Sequence, residues 1–304
     1  MMQKIIESVK RGGFKRDLIK KGRTKHLLVK GDCEEVIKSL PVGSIDLIIT
    51  DPPYNKGLDY GDKFNDSRSQ SEYYKWLKSR LKDIPRILND KGSFYIISYP
   101  EISARLLPFL EDELNLNYRG WITWHYPTNI GHSSKNYTRS QRSILFFTKT
   151  KNYSFNREKL IQHYKNPTAP VIRKRIAQGH KGRTSYDLFR FLDLIELQKG
   201  LVDVIDVDLL KNNSKDRLRN LNSKFKPVSS LAELRRKDHP CQLPLALLEL
   251  FIKVSSNKGN TILDPFAGTF TTSVAAGKLN RNSVGIELNS KFLNFGLRRI
   301  KNLP

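Results

Sequence analysis

The sequence predicts a doubly wound α/β protein on a mostly parallel sheet, interrupted by a long basic insertion. Three observations predict it. Residues 27–150 and 239–304 alternate short apolar runs with stretches of helical spacing, the order that generates β-α-β steps. The apolar run Ile45-Asp46-Leu47-Ile48-Ile49-Thr50 leads directly into Asp51-Pro52-Pro53-Tyr54-Asn55. Near the C-terminus, Thr261–Leu263, the loop Asp264-Pro265-Phe266-Ala267-Gly268-Thr269-Phe270-Thr271-Thr272, a helix from Ser273 to Leu279 and a strand Ser283–Ile286 ending at Glu287 form a strand, glycine turn, helix, strand unit. In open sheets of this kind ligands sit outside the carboxyl ends of the strands, so both loops are expected at one edge.

Residues 1–26 carry nine of the basic residues from Lys4 to Lys25 around Gly12-Gly13, and read as a basic arm, either a solvated tail or a phosphate-tracking element. Leu27–Lys30 is a strand, Gly31-Asp32 its exit, and Cys33–Leu40 a short helix leading to the strand at Ile45. Residues 56–68 are polar and contain Gly57 and Gly61, which suggests a mobile flap. Tyr73, Trp76, Leu77, Leu81, Ile84 and Leu88 recur at helical spacing, so a helix is expected from Ser71 to Leu88, stopped by Asn89-Asp90-Lys91-Gly92. Ser93–Tyr99 reads as a strand, 101–115 as a helix, Trp121–Tyr126 as a strand and Ser143–Lys149 as its hairpin-like partner. The loop between them, Asn129 to Arg139, is polar and basic and suited to gripping a base or a backbone.

Residues 151–238 change character. Apolar periodicity thins, basic clusters appear at Arg173-Lys174-Arg175, Lys181–Arg183, Lys215–Arg219 and Arg235-Arg236-Lys237, and aromatic residues such as Tyr164, Tyr186 and Phe225 are interleaved. Basic charge with stacking side chains is what nucleic-acid readout requires. Asp203, Asp206 and Asp208 read as a solvated face. Leu245–Val254 is an amphipathic helix returning the chain to α/β order.

Across 304 residues, 54 Lys and Arg against 30 Asp and Glu give a formal charge of +24. An excess of that size points to a polyanionic partner, because neutralising phosphates releases counterions. No apolar run of transmembrane length and no signal peptide is evident, which favours nucleic acid over a membrane surface. Cys33 and Cys241 are the only cysteines, and no Cys/His cluster has zinc-ligand spacing. A cytoplasmic, metal-free protein is expected.

The chemistry follows from the Asp51 loop. Each proline fixes φ, and a residue before a proline is pushed to an extended conformation, so the Asp51 carboxylate and the Pro52 carbonyl can converge on one donor. Two acceptors suit a planar amine such as that of adenine or cytosine, concentrating its lone pair on nitrogen, while Tyr54 offers a stacking face. At the other loop, small residues allow close approach to a ligand, and a carboxylate at Glu287 accepts from ribose hydroxyls, as doubly wound sheets do with an adenosyl cofactor.

Asp51-Pro52-Pro53-Tyr54 together with Asp264-Pro265-Phe266-Ala267-Gly268 resembles the amino-group DNA methyltransferases of type II restriction-modification systems, and the order of the two motifs is similar to their beta group. The likeness extends to Gly31-Asp32-Cys33, Trp121–Trp124, Ile144–Lys149, His239–Pro244 and Arg281–Glu287. The resemblance implies a seven-stranded, Rossmann-like methyltransferase sheet with a catalytic half at 27–150, a target-recognition region at 151–238 and a cofactor half at 239–304. It implies S-adenosylmethionine as cofactor, held by Asp32, Cys33, Asp264, Phe266, Gly268, Thr271 and Glu287, with His239–Pro244 leading a helix into the pocket. It assigns catalysis to Asp51, Pro52, Pro53 and Tyr54, acting on a base flipped from double-stranded DNA. It further implies a cognate restriction endonuclease and a monomer or homodimer. An aspartate opening the catalytic loop favours adenine N6 over cytosine N4; an RNA methyltransferase and a non-catalytic DNA-binding subunit are the readings from other classes. One position departs: Phe270 stands where such proteins usually have a second glycine, placing bulk where backbone nears the cofactor.

Overall fold

Apolar runs too short for helices and rich in β-branched residues form the sheet of the computed structural model, which describes residues 1–60, 66–125, 135–137, 141–162, 164, 166–189 and 243–303. In chain order, α1 (Met2–Arg11) and β1 (Lys15–Lys21) precede β2 (Thr24–Lys30), and α2 (Cys33–Ser39) leads to β3 (Ile45–Thr50). Helix α3 (Gln70–Leu81) and the short α4 (Ile84–Ile87) lead to β4 (Leu88–Ser98), then α5 (Pro100–Pro108) with a π-helical extension to Glu113, β5 (Asn117–His125) and β6 (Gln141–Thr148). After the small ribbon strand β7 (Ile161–Gln162) come α6 (Pro170–Ala177), β8 (Arg183–Thr184) and β9 (Leu188–Phe189). The C-terminal part is α7 (Leu245–Ser255), β10 (Thr261–Asp264), α8 (Thr271–Lys278), β11 (Asn282–Glu287) and α9 (Ser290–Lys301).

The main sheet has the order β1-β2-β11-β10-β3-β4-β6-β5-β9. Strands β2, β11, β10, β3 and β4 are mutually parallel, and β6 runs antiparallel to both β4 and β5. The expected seven-stranded sheet is its centre, from β2 to β5, with β1 and the two-residue β9 added at the edges. Its strands read as unbroken apolar runs because both faces are covered. Ile48, Phe94, Ile96, Leu263 and Val284 face one core; Leu47, Ile49, Tyr95, Ile97 and Ile262 face the other, together with α7.

Asp46 is the charged exception in β3. One carboxylate oxygen accepts from the Thr261 amide at 2.7 Å and the other from the Asn89 side chain, so it ties three neighbouring strands together at the amino edge. That edge is thereby a fastening.

Several local expectations change. Residues 1–26 are not a solvated tail: α1 buries Met2, Ile5 and Val9, and β1 pairs antiparallel with β2 from Lys15 opposite Lys30 to Lys21 opposite Thr24. The stop expected at Asn89–Gly92 falls inside β4, because the helical run ends earlier, at Leu81, and the chain is already pairing with β3 at Leu88. Helix α9 continues beyond the elements expected from sequence, capped by the Asn289 side chain on the Lys291 amide at 2.8 Å. The basic helix α6 buries none of its residues, while Lys215–Arg219, Arg235–Lys237, the acidic patch at 203–208, His239–Gln242 and most of the Asn129–Arg139 loop lie outside the described residues. Among the described residues no helix is long and apolar enough to cross a membrane.

Candidate active site

Strands β3 and β10 are parallel neighbours, with Leu47 level with Ile262 and Ile48 level with Leu263. Both therefore end at one edge, with Asp264 at the last position of β10 and Asp51 immediately after β3. The two loops expected to meet do meet. Burial pushes the Asp51 carboxyl up to about 7; the Tyr54 hydroxyl and the Arg142 charge oppose that rise, and the Asp264 charge adds to it.

The Asp51 loop is fixed from several directions. The Tyr54 hydroxyl donates to Asp51, and the Tyr73 hydroxyl donates to the Pro53 carbonyl at 2.8 Å. Tyr54 is only 5% exposed, its ring 4.7 Å from that of Tyr99 at 45°. Asp66 then receives the amides of Asn55, Lys56 and Leu58 at 2.9, 3.0 and 3.0 Å, which seals the base of the segment expected to be a flap. Residues 61–65 of that segment lie outside the described residues. From its near end, the Tyr60 carbonyl accepts from the Asn289 side chain at 2.6 Å, so the loop after β3 reaches the loop after β11.

On the other side, the Asp264 carboxylate accepts from the Phe266 amide at 3.1 Å and the Thr272 hydroxyl at 2.6 Å. Burial raises it to about 6. Glu287 accepts from the Gly268 amide at 2.8 Å and from the Asn289 amide at 2.7 Å, and burial pushes it up to about 7. Each oxygen spends one lone pair on a backbone amide and keeps another for a hydroxyl, the acceptor arrangement a ribose diol needs. Gly268 has φ 50°, a left-handed conformation that glycine adopts without cost. Thr271 is buried and accepts from Arg299 at 2.9 Å.

Asp32 leaves β2 beside β11, where the Gly31 amide donates to the Glu287 carbonyl at 3.1 Å. Its carboxylate caps α2 through the Glu34 amide at 2.9 Å and pairs with Arg80. Arg80 and Arg68 lie over the Trp76 ring at 4.7 and 4.9 Å, and Trp76 packs on Phe266 at 5.8 Å. The Cys33 thiol is buried in the apolar core, which drives its pKa upward.

Phe270 resolves the one departure seen in the sequence. It sits in the left-handed region at φ 62°, fully buried, with its ring directed into the core below the loop. A Cβ on Gly285 would lie 2.5 Å from that ring and one on Gly296 2.1 Å, so two glycines on β11 and α9 make the space it fills. The bulk goes downward, away from the strand ends.

The amino-group DNA methylase family model, described as DNA methylase, matches residues 45–297. The chain belongs to that family. It is an amino-group DNA methyltransferase, and S-adenosylmethionine is its methyl donor. Among individual relatives, the type II methyltransferase M.HpaI of Haemophilus parainfluenzae is 28% identical over 274 residues, covering 90% of this chain and 73% of its own. The DNA adenine methyltransferase YhdJ of Escherichia coli strain K12 is 28% identical over 284 residues, covering 92% and 84%. The solved PvuII DNA methyltransferase, described as cytosine-N4-specific, shares the fold with a TM-score of 0.60 at 18% identity, covering 93% of this chain and 90% of that one.

Sequence reasoning missed four supports of this methyltransferase's edge: Tyr99, Arg142, Asn289 and Asp66. Asn289 was legible as an N-cap ahead of an amphipathic stretch. Asp66 and Tyr99 carry no local signal, since their partners are distant in the chain.

Proposed function

We propose that the methyltransferase acts on the N6 amino group of adenine rotated out of duplex DNA, with Asp51 and the Pro52 carbonyl accepting from that amine. One observation carries the transfer at this site, that Asp51 and the Asp264–Glu287 loops emerge on adjacent parallel strands at one edge of the sheet, and the aspartate that opens the Asp51-Pro52-Pro53-Tyr54 loop favours adenine. S-adenosylmethionine, when bound, supplies an electrophilic methyl group on a sulfonium. The ribose hydroxyls would fall to Glu287, with Asp264, Phe266, Gly268 and Thr271 lining the same side and Asp32 with the Cys33 backbone toward the adenine, since the Cys33 thiol itself lies in the core. A carboxyl near neutrality is matched to its task, because it is substantially ionised at pH 7 and basic enough to accept the proton the amine must release. Rotating the base out costs a few kcal/mol, and aromatic stacking of about 1 to 3 kcal/mol offsets part of it. A partner restriction endonuclease, a cytoplasmic location and a monomeric or dimeric state belong to the same proposal.

The test is digestion of in vitro methylated duplex DNA to nucleosides with mass identification. N6-methyladenine is expected from the wild-type protein; N4-methylcytosine as sole product would overturn the choice of base. Asp51→Ala is expected to give neither while still binding S-adenosylmethionine by calorimetry, and undiminished turnover by that variant would remove Asp51 from the mechanism.

A further inference from the structure

We propose that Arg142 is a positioning residue of the transfer reaction: its guanidinium clamps the Tyr54–Tyr99 ring pair and keeps the Asp51 carboxylate charged. This rests on the reading of Asp51 above. Strand β6 is antiparallel to β4 with Ser143 opposite Ser98, so Arg142, one residue earlier, stands beyond the carboxyl end of β4 at the level of Tyr99. That is the edge from which Asp51 emerges.

Arg142 is 8% exposed, an expensive placement for a cation unless nearby charge and ring faces compensate it. Its guanidinium carbon lies 4.2 Å from the Tyr99 ring centroid and 5.6 Å from that of Tyr54. A planar, weakly hydrated cation over two aromatic faces is a favourable arrangement. The same clamp sets the angle of Tyr54, whose hydroxyl reaches Asp51. Among the described residues, the groups acting on Asp51 are Tyr54 from its own loop, Asp264 from β10, Tyr73 from α3 and Arg142 from β6. Of these Arg142 carries the positive charge. Lys56 also lies over Tyr99, at 5.4 Å, and pairs with Glu101 of α5 at 3.8 Å. Burial drives Asp51 toward its neutral form, in which it would accept the amine hydrogens poorly, and the Arg142 charge works against that drift.

The experiment is single-turnover methyl transfer as a function of pH for the full chain with duplex DNA, comparing wild type, R142K, R142Q and D51N. For R142Q the acid limb of the rate profile is expected to move up by about half a pH unit or more, since loss of the Arg142 charge leaves the burial of the carboxyl less opposed. R142K, which keeps the charge without the planar fork, is expected to hold the limb near the wild-type position at a reduced rate, and both variants to keep wild-type affinity for S-adenosylmethionine. A rate loss in R142Q with an unmoved limb, or a limb displaced as far in R142K as in R142Q, overturns the proposal. If R142Q does not fold, Tyr99→Leu replaces it: removing the ring under the guanidinium is expected to lower the rate at least tenfold, and an unchanged rate overturns the clamp. D51N separates the two claims, because wild-type turnover in D51N defeats the reading of Asp51 whatever Arg142 does.

Discussion

The two halves of the active edge hold their carboxylates by different means. On the proposed cofactor side Asp264 and Glu287 receive backbone amides from Phe266, Gly268 and Asn289, groups that move only if the loop itself moves, with the Thr272 hydroxyl added on Asp264. On the proposed base side Asp51 is held by a phenolic hydroxyl and flanked by a cation and a second ring, all side chains that turn about single bonds. The difference teaches what each side has to do. A cofactor of fixed shape is best met by fixed donors and acceptors, since no reorganisation is then spent on binding it. On the proposed reading, a base arriving from the stack meets side chains, whose angles can adjust to it more readily than a backbone amide can.

Breaking the two halves separately gives the largest effects. Asp51→Ala is expected to lower methyl transfer by about 10²- to 10³-fold, the scale on which losing one preorganised electrostatic group at a reacting centre acts, with cofactor affinity intact. Glu287→Ala reverses the pattern: affinity for S-adenosylmethionine is expected to fall by about 10²-fold through loss of charge-assisted hydrogen bonds worth about 1.5 to 3 kcal/mol each. Calorimetry beside a saturating-cofactor rate assay reads both. If Glu287→Ala lowers the saturated rate and leaves affinity alone, the division between the halves is wrong.

The same contrast governs what could be read in the sequence. The cofactor side is written locally, within Asp264 to Glu287, because strand, turn, helix and carboxylate follow one another and each has its own pattern. The base side is legible only in Asp51-Pro52-Pro53-Tyr54; Tyr99 and Arg142 lie 45 and 88 residues from Tyr54 and reach it through strand pairing that no local pattern encodes. Residues 1–26 misled by composition: dense basic charge suggests a tail, yet Met2, Ile5 and Val9 recur at helical spacing and are buried. At Phe270 the motif was legible and its meaning was not, since the space for the ring comes from Gly285 and Gly296 on other elements.

Phe270→Gly sharpens that point. Removing a buried phenylalanine ring costs about 3 to 5 kcal/mol, and relieving a left-handed non-glycine residue returns about 1 to 2 kcal/mol. A net destabilisation of about 2 kcal/mol is expected in urea unfolding, with S-adenosylmethionine affinity within about threefold of wild type because the ring points into the core. An affinity gain well beyond that would mean the ring obstructs the cofactor after all.

The smallest effect is a pH dependence of the protein without cofactor. Asp51 and Glu287 at about 7 and Asp264 at about 6 all lie above their ordinary values, so the folded state holds these protons more tightly than the unfolded state does. Their stabilising contribution is therefore complete below about pH 4 and is lost as pH rises through about 6 to 7. His26 acts in the opposite sense: buried and lowered to about 4, it favours folding above its ordinary value and loses that contribution as pH falls toward 4, cancelling part of the trend. The balance is a fall in melting temperature of about 3 °C or more between pH 5 and 7.5, read by differential scanning calorimetry. Asp51→Asn removes one of the three carboxyls and is expected to flatten the slope by about a third; Glu287→Gln should do the same. If the Asp51 variant keeps the full slope while the Glu287 variant loses it, the amide-held half alone stores the charge strain, and the base side is more open to water than its buried tyrosine implies.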